Sequence, residues 1–148
     1  MDIRTIPPQP VMRQRRRLTL PQVGAASVEA CATAGAAAEA EGRQPAGPWI
    51  FAAHGMPRDA DTAFDLDFCL PVDGGDDLLP AFRCASLVYE GPLSGMFTDG
   101  YAPLLAAIAA AGLSMTGDSR EVYLRWDGPD ATCNRIEIQI GITATDGA

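Results

Sequence analysis

The chain has 148 residues, enough for one core that removes well over half of the unfolded surface from water. Its formal charge is −8, from 19 acidic and 11 basic residues, so its mean field repels a phosphate backbone and direct nucleic-acid binding is not expected. The four cysteines, Cys31, Cys69, Cys84 and Cys133, are widely spaced and have one histidine, His54, for company. That excludes a zinc set and points to free thiols in a reducing cytoplasm, with no metal or cofactor.

The N-terminus, "MDIRTIPPQP", lacks an apolar signal region, and the longest apolar run, "APLLAAIAAAG", is far short of the ~20 residues that span a bilayer. A cytoplasmic protein without membrane contact is expected. The first strand opens at "PVMRQRRRLTLPQ", residues 10–22, where Arg13 to Arg17 read as a charged, solvated edge that discourages aggregation. Next comes "GAASVEACATAGAAAEAEG", alanine-rich and stopping at Gly42, a predicted helix. "PWIFAAH", residues 48–54, reads as a strand with His54 at its end rather than as a catalytic segment. In "FDLDFCLPV" Phe64, Leu66, Phe68, Leu70 and Val72 alternate with Asp65, Asp67 and Cys69, a strand with one apolar face. "PVDGGDDLLP" carries turn chemistry.

The same order then recurs. "PAFRCASLVYEGP" at 80–92 matches the first strand at an offset of 70, "REVYLRW" at 120–126 matches "PWIFAAH" at 72, and "RIEIQIGI" at 135–142 matches "DLDFCLPV" at 70. Between them "MFTDGYAPLLAAIAAAG" forms a second helix stopping at Gly112, with Pro103 tolerated if the helical turn begins near Asp99. In "SREVYLRW" Val122, Leu124 and Trp126 share one face while Glu121, Tyr123 and Arg125 share the other. The fold predicted is α+β: a duplicated β-α-β-β unit, with pseudo-repeats at about 10–72 and 80–142 of one domain spanning 1–148. Its strands would form one antiparallel curved sheet with two helices on one face, leaving a central ligand cleft on the open face.

At an offset of 72, Trp49 stands where the second copy has Glu121, and Phe51 where it has Tyr123. The expectation is an open aromatic face holding Trp49, Phe51, Glu121 and Tyr123, with Phe97, Tyr101 and Met96 walling one end. A carboxylate among aromatics favours a cationic guest, and cation-π contact adds ~0.5 to 2 kcal/mol.

Gly91-Pro92 after the strand that opens the second copy, the Arg120 to Leu124 strand and the Glu137 to Ile140 strand resemble the GyrI-like effector-binding domain. This is an SHS2-like duplication found in multidrug-sensing and AraC-type activators and also free-standing. The resemblance covers nearly the whole chain. It implies binding of small, hydrophobic and often cationic molecules, with Glu121 as the acidic contact. With only residues 1–10 before the first strand, a free-standing form without a DNA-binding domain is expected. The family also implies two alternatives: a hydrolase of electrophilic cyclopropane-type compounds using Glu121 and Tyr123 as catalytic residues, and a gyrase-inhibitor-like protein with a protein partner.

Overall fold

A computed structural model describes residues 1–55, 57 and 59–143. In chain order the elements are β1 (Asp2–Ile6), β2 (Gln9–Leu18), a 3-10 turn (Leu20–Gln22), α1 (Val23–Ala40), β3 (Ile50–His54), β4 (Phe64–Pro71) and β5 (Leu78–Leu79). There follow β6 (Phe82–Glu90), a 3-10 turn (Leu93–Gly95), a π-helical turn (Phe97–Tyr101), α2 (Ala102–Ala110), β7 (Met115–Arg125) and β8 (Arg135–Ile142). The architecture is α+β with antiparallel strands, as the repeat implied. The chain forms two compact units, Pro7–Ala81 on one hand and Met1–Ile6 with the chain from Phe82 on the other.

In the Pro7–Ala81 unit the strand order is β3-β4-β2-β5. Thr19 opens the helical segment: its backbone N–H donates to the Gln22 side chain, and Pro21 fits the first turn because it has no N–H to satisfy there. Helix α1 buries Ala30, Ala34 and Ala38, a stripe at every fourth position. Leu18, Phe64, Leu66 and Phe68 form the sheet side of that core, with Ala30 from the helix. Opposite residues of an antiparallel pair share a face. Register therefore assigns Met12, Gln14, Arg16 and Leu18, with Leu70, Phe68, Leu66 and Phe64, to the helix face. Arg13, Arg15 and Arg17, with Cys69, Asp67 and Asp65, take the helix-free face.

The other unit has the order β1-β6-β8-β7. Residues 2–6, read from sequence as a lead-in, are strand β1 and pair antiparallel with β6. Ala85, Leu87 and Tyr89 of β6 stand opposite Ile140, Ile138 and Ile136 of β8. These isoleucines are fully buried and pack with Leu104 and Ile108 of α2. Pro103 falls in the first turn of α2, but helical geometry starts earlier, at Phe97, as a π-helical turn. A proline cannot donate to a preceding carbonyl, so the ladder entering α2 lacks a rung at this point. Gly42 and Gly112 follow the two helices at φ +67° and +69°, the left-handed stop expected of them.

Register also revises the repeat. With β4 and β8 aligned at 70, Phe51 opposes Phe68 as Glu121 opposes Ile138, and Ala53 opposes Leu66 as Tyr123 opposes Ile136. The middle strands are thus offset by 70, not 72. Gln14 opposes Phe68 as Leu87 opposes Ile138, so the opening strands are offset by 73. The shared Pro-apolar-apolar-Arg pattern at 70 places Arg13 and Arg83 on opposite faces, so it is not a structural equivalence.

Candidate functional site

Strand β7 carries the acid. Ser119, Glu121 and Tyr123 oppose Ile140, Ile138 and Ile136, so their side chains share the face that α2 covers. This corrects the expectation of a helix-free face for them. Alternation in β7 marks two faces, but which one faces the helix depends on pairing with β8.

Glu121 accepts two hydrogen bonds from phenols. Tyr123 Oη donates to Glu121 Oε1 at 2.7 Å, and Tyr101 Oη donates to Glu121 Oε2. Tyr101 comes from the π-helical turn, and with Tyr123 it packs against the cluster of Met96, Leu104, Ile108, Ile136 and Ile138. Burial first, and then the Glu121 carboxylate beside it, hold the Tyr101 phenol well above its usual range. Tyr101 therefore remains a donor throughout the neutral range. Among the described residues, no arginine or histidine is ion-paired with Glu121.

Other predicted residues are placed differently. Met96 is buried in the same cluster, whereas Phe97 points away and is 68% exposed. Beyond Tyr123 the strand slips register before Arg125, and Trp126 stacks edge-on against Tyr123 with ring centroids 5.6 Å apart. The slip, invisible in a period-two pattern, carries Trp126 to Tyr123. In the Pro7–Ala81 unit Phe51 packs edge-to-face on Phe68 at 4.7 Å, on the face that α1 covers. Trp49 packs against Ala38, Leu70 and Val72. Both are partly buried and pack against the core of their own unit rather than on its helix-free face.

Sequence reasoning missed a second polar centre. Asp67, fully buried on the helix-free face of β4, is bound by Arg13 Nη1 at 2.8 Å, by Arg15 Nε at 2.7 Å and by His54 Nε2 at 2.8 Å. Burial raises the Asp67 pKa, but the bonds from Arg15, His54 and Arg13 outweigh it and bring the carboxyl from 3.8 to about 2. Arg13 and Arg15 are thus partners of a buried anion as well as edge charges. The arginines at every second position of "RQRRR" opposite "DLD" were the available signal.

No helix among the described residues is long and apolar enough to cross a membrane. No family model and no curated protein matches the chain. Solved structures do match. EcmrR in its complex with DNA, seen by cryo-electron microscopy, aligns with a TM-score of 0.77 at 17% identity over 95% of this chain and 56% of that one. This chain thus spans little more than half of that protein. The crystal structure of the EcmrR C-terminal domain aligns at 0.73 and 18% identity over 96% of both chains. SAV2435, solved bound to tetraphenylphosphonium, aligns at 0.62 and 11% identity over 97% of this chain and 94% of that one. At these identities the match establishes the fold, and at that level it supports the resemblance to GyrI-like effector-binding domains.

Proposed function

We propose that the chain binds small hydrophobic cations, with Glu121 as the acidic contact and Tyr101, Tyr123 and Met96 as its surroundings. The observation that carries this reading is a carboxylate on the helix-covered face, satisfied by two phenols and, among the described residues, by no cation. Phenols meet the hydrogen-bonding needs of a carboxylate without cancelling its charge, and a charge kept among apolar side chains is costly until a counter-charge arrives. A soft organic cation supplies that charge and at the same time buries apolar surface. The tetraphenylphosphonium in the SAV2435 structure is a ligand of this class and the natural probe.

The experiment is titration calorimetry of the chain with tetraphenylphosphonium. Binding to the wild type is expected, weakened about tenfold or more by Glu121→Gln, a loss on the order of 1.4 kcal/mol. Equal affinity in both would remove Glu121 from the reading. Hydrolysis of an electrophilic substrate by Glu121 and Tyr123 is less well supported, because each carboxylate oxygen already accepts a hydrogen bond from a phenol. Recovery of the probe unchanged after prolonged incubation, checked by mass spectrometry, is the outcome expected of a binding protein.

A further inference from the structure

The Asp67 centre is used by nothing proposed above. It holds an imidazole against a buried carboxylate. His54 Nε2 lies 2.8 Å from Asp67 Oδ2, and a lone pair there would face the lone pairs of an ionised carboxylate, so Nε2 carries the proton and donates it. Arg15 Nη2 lies 3.2 Å from the same nitrogen and itself donates to Asp67 Oδ2 at 3.1 Å. Nδ1 then holds the lone pair on a side chain that is 38% exposed, and it makes no hydrogen bond among the described residues. A buried carboxylate that orients a partly exposed imidazole, whose second nitrogen makes no hydrogen bond among the described residues, is an arrangement suited to a general base.

The neighbours indicate what kind of molecule it would serve. On the helix-free face Asp65 of β4 stands opposite His54 of β3 on one side and Arg17 of β2 on the other. Arg17 is 67% exposed, bound to Asp65 only through Nη1 at 3.2 Å. Its backbone position is two strands from that of His54, about 10 Å at the usual strand spacing. Asp67 and Cys69 on β4, Arg13 and Arg15 on β2, and Asp77 beside Arg13 are the other titratable groups of this face among the described residues of the unit.

We propose that this face is a second, hydrolytic site, in which Asp67-held His54 acts as general base on small esters bearing a carboxylate that Arg17 receives. His54 Nδ1 takes a proton from water as the water oxygen attacks the ester carbonyl carbon. The bond from that carbon to the leaving oxygen breaks, and the imidazolium returns the proton to the leaving alkoxide. Ester and water become acid and alcohol, with no further reactant. Asp67 is a positioning residue: it fixes the tautomer and stabilises the imidazolium as it forms.

The probe is 4-nitrophenyl hydrogen succinate, assayed on the whole chain carrying Cys133→Ser, which removes the exposed thiol as a competing nucleophile. The expected result is release of nitrophenolate faster than by free imidazole at the same concentration, with kcat about 100-fold lower in His54→Gln. Arg17→Gln should raise KM about threefold for the succinate ester and leave 4-nitrophenyl acetate unaffected. Asp67→Asn, assayed where circular dichroism shows it folded, should lower kcat with KM little changed. A His54→Gln chain as fast as its parent, or a parent no faster than free imidazole, overturns the proposal. Because Glu121 is not involved, failure here leaves the cation-binding reading standing, and the converse holds too.

Discussion

At the scale of single residues, the chain places two of its hydrogen-bonded carboxylates in opposite company. Asp67 is held by guanidinium and imidazole, Glu121 by phenols. The first makes stability depend on acid. A carboxyl lowered to about 2 in the folded chain and near 3.8 unfolded stabilises the fold fully above about pH 4. That contribution, on the order of 2 kcal/mol, is lost as the pH falls through about 2. Urea unfolding at pH 5 and at pH 2 should show the drop, and Asp67→Asn should lack this part of it. For Glu121 the donors themselves are testable. Tyr101→Phe keeps the ring but removes one donor, costing the free protein about 1 kcal/mol. If the bound cation takes over the satisfaction of that oxygen, the complex loses less than the free protein. The variant should therefore melt lower yet bind tetraphenylphosphonium about threefold more tightly, as read by differential scanning and titration calorimetry.

Among the elements, β7 and β8 show how local irregularity positions a site. Strand β7 breaks register between Met115 and Ser119 and again between Tyr123 and Arg125, leaving Ser119 to Tyr123 as a regular stretch against Ile140 to Ile136. Gly141 belongs to the first break. A Cβ there would collide with Thr116 Oγ1, lie 2.9 Å from Phe82 Cε1 and 3.0 Å from the backbone oxygen of Asp118. The last of these cannot rotate away. Gly141→Ala should destabilise the chain by about 1 to 3 kcal/mol in chemical denaturation, by overpacking. Strand β4 and strand β8 were legible in sequence because alternating apolar residues over eight positions leave few other readings. The two helices were legible from alanine and from their terminal glycines. Strand β1 was not: five residues, four of them exposed, owe their conformation to β6, some 80 positions away. The π-helical turn that delivers Tyr101 was hidden for a similar reason, since an N-cap at Asp99 and a π-helical turn from Phe97 fit the same letters.

For the whole molecule, the repeat was legible as a pattern and misread as an alignment. Period-two chemistry looks much the same when shifted by two residues, which is how 72 passed for 70 in the middle strand. An odd shift exchanges faces, which is why Arg13 and Arg83 are not counterparts. Hydrogen-bond register is settled by partners distant in sequence, and the acid's face followed from it. Sequence singled out Glu121, Tyr123 and Tyr101 as candidates. It did not show that the two phenols meet on the one carboxylate, nor that His54, passed over as a strand end, is gripped by a buried acid.

The corrected register also bears on stoichiometry. The position that holds Glu121 in one copy of the repeat holds Phe51 in the other, and the place of Tyr123 is taken by Ala53. Duplication supplied two scaffolds, while divergence left a carboxylate in one and hydrocarbon in the other. A titration with a monovalent organic cation should therefore saturate at about one equivalent per chain. Converting Phe51 to Glu would not create a second seat, since Ala53 offers no hydroxyl to share the new charge.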